Sequence, residues 1–122
     1  MNVFRVAQTD SGLSNEEIRR AVLESLQGRT IRKALLLPPD FTRFHSNAGF
    51  ITNVYYHILQ DMGADVDILP ALGTHEPVSP EQWRVMFGDL PYEKMIVHNW
   101  RSDVVKLGEV PAEYLEEITE GL

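Results

Sequence analysis

Two periodicities alternate along the chain, one of about 3.6 residues and one of short continuous apolar runs. Ile18, Ala21, Val22 and Leu26, with Leu23 beside them, repeat at helical spacing. Ser14-Asn15-Glu16-Glu17 ahead of them has the form of a capping box, in which Ser14 caps and Glu17 reaches back. Gly28 supplies a stop, so the pattern predicts a helix over residues 15–27. Lys33 is followed by the wholly apolar run Ala34-Leu35-Leu36-Leu37 and then by Pro38-Pro39. Its brevity predicts a strand, its apolarity on both faces a central parallel strand, and the prolines its end. Ser46 or Asn47 can cap the next helix, whose stripe is Ile51, Val54, Tyr55, Ile58 and Met62 before Gly63.

Residues 65–71 read as a second strand, interrupted by Asp67. Ser79-Pro80-Glu81-Gln82 opens a further helix with cap, proline and glutamine in order, and Trp83, Val85, Met86 and Phe87 form its apolar side. Met95-Ile96-Val97-His98-Asn99 predicts a third strand, Val104-Val105-Lys106-Leu107 a weaker fourth. Pro111 opens a last helix carrying Tyr114, Leu115 and Ile118. The alternation of helix and strand predicts a layered, Rossmann-like α/β fold over residues 1–122, with a mostly parallel sheet flanked by helices.

Composition narrows the partners. The 122 residues carry a net charge of −7, which disfavours nucleic acid and anionic membrane as general partners. No cysteine is present, so disulfides and thiolate metal sites are excluded, in keeping with a cytoplasmic protein. The amino-terminal residues lack the apolar core of a signal peptide, and no apolar run reaches the roughly 20 residues of a membrane span. Gly-rich phosphate loops and a G-x-S-x-G elbow are both absent.

Candidate chemistry concentrates in two polar cassettes, each placed where a buried strand ends. The first is Pro38-Pro39-Asp40-Phe41-Thr42-Arg43, the second Gly73-Thr74-His75-Glu76-Pro77. Ligands of open parallel sheets bind beyond the carboxyl ends of strands, so the two cassettes are expected on one rim. Arg43 offers the planar fork that recognises a carboxylate, and Thr42 a hydrogen bond to the same ligand. His75 is suited to general acid–base work, and Asp40 to fixing its tautomer. The plainer alternatives are an Asp40–Arg43 ion pair or an Asx turn that shapes the loop, and a surface turn histidine at position 75. His45 and His98 are weaker rim candidates, and with His75 they could imitate a metal triad, although their spacing matches no known ligand pattern. Three functional classes fit these residues: an enzyme acting on an acidic metabolite, a non-catalytic binding module for small carboxylates, and an unrelated small α/β enzyme using Asp40 and His75.

The order Asp40-Phe41-Thr42-Arg43, helix, strand, Ala71-Leu72-Gly73-Thr74-His75 with Pro77 following resembles the amino-terminal part of the nickel-pincer lactate racemases and related 2-hydroxyacid racemases and epimerases. The resemblance runs over residues 30–100 and extends weakly to His98-Asn99-Trp100. It implies hydride transfer at C2 of a 2-hydroxyacid, using a nickel pincer cofactor, a pyridinium dithiocarboxylic-type mononucleotide tethered to a lysine. By similarity His75 would be one of two acid–base histidines and Arg43 would bind the substrate carboxylate. Asp40 would support the histidine or the substrate, Thr42 would assist Arg43, and Gly73 and Thr74 would approach the cofactor. Phe44 stands where the family often has proline, and Glu76 where it often has a basic residue; the acid beside the site favours a larger, hydroxyl-rich substrate over lactate. The second histidine, the cofactor lysine and the nickel ligand lie downstream of the matched region in the family. The resemblance therefore implies a substrate-side fragment of a longer racemase, whose carboxyl-terminal remainder is its expected partner and which is inactive alone with no metal of its own.

Overall fold

The computed structural model describes residues 2–121. Helix α1 (Asn15–Leu26) leads into strand β1 (Lys33–Leu36), a 3-10 turn (Phe41–Ser46), helix α2 (Ala48–Asp61) and strand β2 (Asp65–Ile68). Helix α3 (Pro80–Phe87), a short 3-10 turn (Tyr92–Lys94) and helix α4 (Ala112–Ile118) complete the order. Both capping boxes form. Ser14 accepts from the Glu17 N–H at 3.2 Å while the Glu17 carboxylate accepts from the Ser14 N–H, and Ser79 and Gln82 repeat the exchange in α3.

β1 and β2 pair in parallel, Lys33 opposite Asp65 and Leu36 opposite Ile68. α2 forms the connection between them and packs back on the sheet. Val54 and Leu59 of α2 share a core with Val66 and Ile68, both of which are fully buried. α1 lies beside α2, contributing Val22 and Leu26. α3 packs on the other flank of α2 through Met86 and Phe87, and its Trp83 indole N–H donates to the Leu90 carbonyl at 2.7 Å. That bond satisfies the one polar atom of a side chain that is otherwise core.

Several expectations change. Among the described residues only one face of β1 is covered: Ala34 and Leu36 turn to the helices, whereas Leu35 and Leu37 are exposed. The third strand reduces to one parallel bridge, Ile68 with Met95, where the Ile96 N–H donates to the Ile68 carbonyl at 2.7 Å. Residues 104–107 form no strand and pair with no neighbour among the described residues. What these residues build is a mixed helix and strand unit around a small parallel two-stranded sheet. The α2 stripe also shifts. Thr52 and Tyr56 are buried with Val54 and Leu59, while Met62 is partly exposed beyond the end of the core. Val85 points to solvent rather than joining Trp83, Met86 and Phe87 inside.

Candidate functional site at the carboxyl rim of the sheet

The two strands leave the sheet side by side. Past β1 and β2 a further parallel bridge joins Pro39 to Ala71, and the Ala71 N–H donates to the Pro38 carbonyl at 2.8 Å. The first cassette therefore starts level with the second. Proline supplies no N–H to prolong the ladder, so the chain turns out of the sheet at Pro39. It enters the 3-10 turn with Asp40 as its cap. The second cassette turns at Gly73, whose φ of +59° suits a residue without Cβ, and the His75 N–H closes the turn on the Leu72 carbonyl at 3.0 Å.

These two turns bring Asp40 and His75 together across 35 residues of sequence. Oδ2 of Asp40 lies 2.5 Å from Nδ1 of His75. Oδ1 accepts from the Thr42 hydroxyl at 2.6 Å and from the Thr42 N–H at 3.2 Å. The Asx turn and the histidine contact thus coexist, one on each carboxylate oxygen. Asp40 is buried, whereas the His75 side chain is 56% exposed. Burial by itself raises the Asp40 carboxyl, but the hydrogen bonds from Thr42 and His75 and the charge of His75 outweigh it. The group is held below the ordinary aspartate value.

This arrangement fixes the imidazole. An ionised carboxylate only accepts, so Nδ1 of His75 carries the proton and donates it. In the neutral ring Nε2 is then an acceptor on the exposed side, free to take a proton from a ligand hydroxyl. Second-sphere carboxylates orient histidines in this way where a single tautomer is needed.

Arg43 is exposed, one residue beyond Thr42, and its N–H donates to the Asp40 carbonyl at 3.0 Å. Among the described residues no carboxylate lies within ion-pairing distance of its guanidinium, so an Asp40–Arg43 pair is not part of the loop. The charge is left available. Thr42 is committed to Asp40 rather than offered to a ligand. Thr74 and Glu76 are exposed and make no side-chain hydrogen bond among the described residues. His45 lines a separate groove of about 650 Å³ with Arg19, Phe44, Asn47 and Phe50, a groove that does not include His75. His98 is half-buried, with an Nδ1 that has no hydrogen-bond partner among the described residues. Sequence reading missed the contact of His57 and Asn53 with Asp89. Both bond Oδ1 of Asp89, at 3.2 and 2.7 Å, and so tie α2 to the exit of α3; nothing in the sequence pattern of the exposed Asp89 signals it.

The described residues do not by themselves gather a site for a nickel ion. Among the described residues no three histidine, cysteine, aspartate or glutamate side chains are gathered as ligands. Gly73 and Thr74 sit on an open turn rather than in a cradle, and a Cβ at Gly73 would meet nothing within 4 Å.

Comparison with known proteins bears on the fold. No protein-family model and no curated protein matches the chain. A crystal structure of a Thermotoga maritima protein, a structural genomics target, is similar with a TM-score of 0.75 at 21% identity. The match covers 97% of this chain and 29% of that one, so this chain spans less than a third of the Thermotoga protein's length. At that identity the likeness concerns fold alone. Among the described residues no helix is long and apolar enough to cross a membrane.

Proposed function

We propose that this chain is the substrate-side part of a 2-hydroxyacid racemase or epimerase of the nickel-pincer lactate racemase type, working in the cytoplasm. The observation that carries this reading is the Asp40–His75 contact, with Arg43 following three residues after Asp40 and making no ion pair among the described residues. An acid–base group and an anion hold on one rim suit a ligand bearing a carboxylate and a neighbouring hydroxyl. In this role Arg43 binds the substrate carboxylate through its fork. Nε2 of His75 takes the C2 hydroxyl proton and returns it, and Asp40 stabilises the imidazolium while the proton resides there. The cofactor of this class supplies the hydride acceptor, and holding it falls to residues outside this chain. The same reading extends the two strands described here into a layered, Rossmann-like sheet completed by further chain.

Turnover separates this reading from the second one, a carboxylate-binding module without catalysis. The purified 122-residue chain is expected to leave the enantiomers of a 2-hydroxyacid unchanged by chiral chromatography. The complete gene product, loaded with cofactor, is expected to interconvert them. His75→Gln in that protein should cost roughly 10²–10⁴-fold in kcat, the range of a lost acid–base group. Sustained racemisation by the 122 residues alone contradicts the proposal. Full activity of the His75→Gln protein contradicts the role given to the histidine.

A further inference from the structure

A groove of about 650 Å³ opens between α1, α2, α3 and the 3-10 turn of residues 41–46, and neither His75 nor Arg43 lines it. Its size lies in the range of small-molecule sites. The close crossing of α2 and α3 at Gly49, which leaves no room for a Cβ against the Met86 carbonyl, forms part of the lining. Phe50 supplies one aromatic wall and the exposed Phe44 another, while the exposed Val85 adds an apolar edge from α3. Apolar side chains exposed singly are ordinary, but here three converge on one cavity.

The charge of this groove is one-sided. The chain has 18 acidic residues against 11 lysines and arginines, yet Arg19 and His45 line the groove and no aspartate or glutamate does. Two adjacent arginines of α1 behave differently. Arg20 pairs with Glu16. Arg19 instead lies with its Cζ 5.1 Å from the centre of the Phe50 ring, and it makes no ion pair among the described residues. A guanidinium stacked on an aromatic face is held in place while its N–H edge stays free for an anion. Asn47 adds a side-chain amide that caps nothing.

We infer that this groove is a second binding site, for a carboxylate with a flat aromatic body. The carboxylate takes the Arg19 fork, and the rings lie against Phe44, Phe50 and Val85. One planar guanidinium matches one carboxylate, and phenylalanine walls favour a ring over a flexible polar chain. His45 supplies a further ring N–H. The absence of acidic lining selects against cationic ligands in a chain that is otherwise strongly negative. The site is independent of the hydroxyacid reading, because it shares no side chain with the rim of Asp40, Arg43 and His75.

Calorimetric titration of the protein with 2-naphthoate, and with 2-naphthamide as its uncharged counterpart, tests this. The acid is expected to saturate one site and to bind at least about 10-fold more tightly than the amide, as a hydrogen bond to a charged group implies. Arg19→Gln should bring the acid down to the level of the amide and leave the amide unchanged. Val85→Asp, at an exposed position, should weaken both compounds and the acid more. Absence of saturable binding by 2-naphthoate overturns the inference. Equal binding of acid and amide, or an acid titration that Arg19→Gln leaves unchanged, overturns it too. Loss of acid binding in Arg43→Ala with none in Arg19→Gln would place the aromatic acid at the rim and likewise overturn it.

Discussion

Arg43→Ala is expected to weaken binding of a 2-hydroxyacid by about 10- to 100-fold while leaving the fold unchanged. A hydrogen bond to a charged group is worth roughly 1.5–3 kcal/mol, and the exposed position of Arg43 brings screening that favours the lower part of that range. The side chain makes no hydrogen bond or ion pair among the described residues, so its removal costs the native state little. Arg43→Lys should recover only part of the affinity, because a lysine keeps the charge but loses the planar fork. Isothermal calorimetry of the three proteins against one hydroxyacid measures this. Equal affinities would remove Arg43 from the site and with it the reason to expect a carboxylate ligand.

Gly49→Ala is expected to cost at least about 2 kcal/mol of stability, even though alanine is the better helix former by roughly 1 kcal/mol. A Cβ on Gly49 would stand 2.0 Å from the Met86 carbonyl oxygen and 2.8 Å from its carbonyl carbon. Both atoms are backbone, so no side-chain rotation relieves the clash. The α2–α3 contact has to open, and with it the buried packing of Met86 and Phe87. The effect should reach the site, because the 3-10 turn bearing Arg43 is held between these helices. Gly108 is the control: it has open space around it and ordinary φ, so Gly108→Ala should be close to neutral. Urea midpoints compare the two. An unshifted midpoint for Gly49→Ala would mean that α2 and α3 do not meet as described.

The sequence made the local structure legible where a residue type has a single good explanation. The two capping boxes and the glycine stops mark real helix ends, and Ala34–Leu36 is a real strand. The shared rim of Asp40 and His75 was legible as well, because parallel topology places both cassettes past the carboxyl ends of the strands. Less was legible wherever the answer depended on a neighbour. Ala34-Leu35-Leu36-Leu37 reads as a central strand from its composition, yet its outer edge has nothing to pair with among the described residues. Met95–Asn99 has strand character but meets β2 at one bridge, since the chain diverges after Ile96. The turn of residues 41–46 carries no periodic signal and is shaped by the Asp40 cap. Asn47 starts α2 from a left-handed conformation with no side-chain cap of its own, while Ser46 accepts from the Ala48 N–H at 3.3 Å.

At the site, residue types alone could not decide between an ion pair, an Asx turn and a histidine contact for Asp40. Geometry settles the question by giving one oxygen to Thr42 and the other to His75. The depressed Asp40 carboxyl follows from that division, since its partners reward the ionised form more than burial penalises it.

The central claim is that Arg43 and His75 meet one hydroxyacid. Its most direct test is a ¹⁵N NMR titration of this protein with a polyhydroxylated 2-hydroxyacid, following the His75 ring nitrogens and the Arg43 Nε together. The prediction is that both shift with one saturation midpoint and that Nε2 of His75 moves more than Nδ1, which Asp40 already holds. Signals that stay in place while the fold is intact, or that saturate at different concentrations, would contradict it.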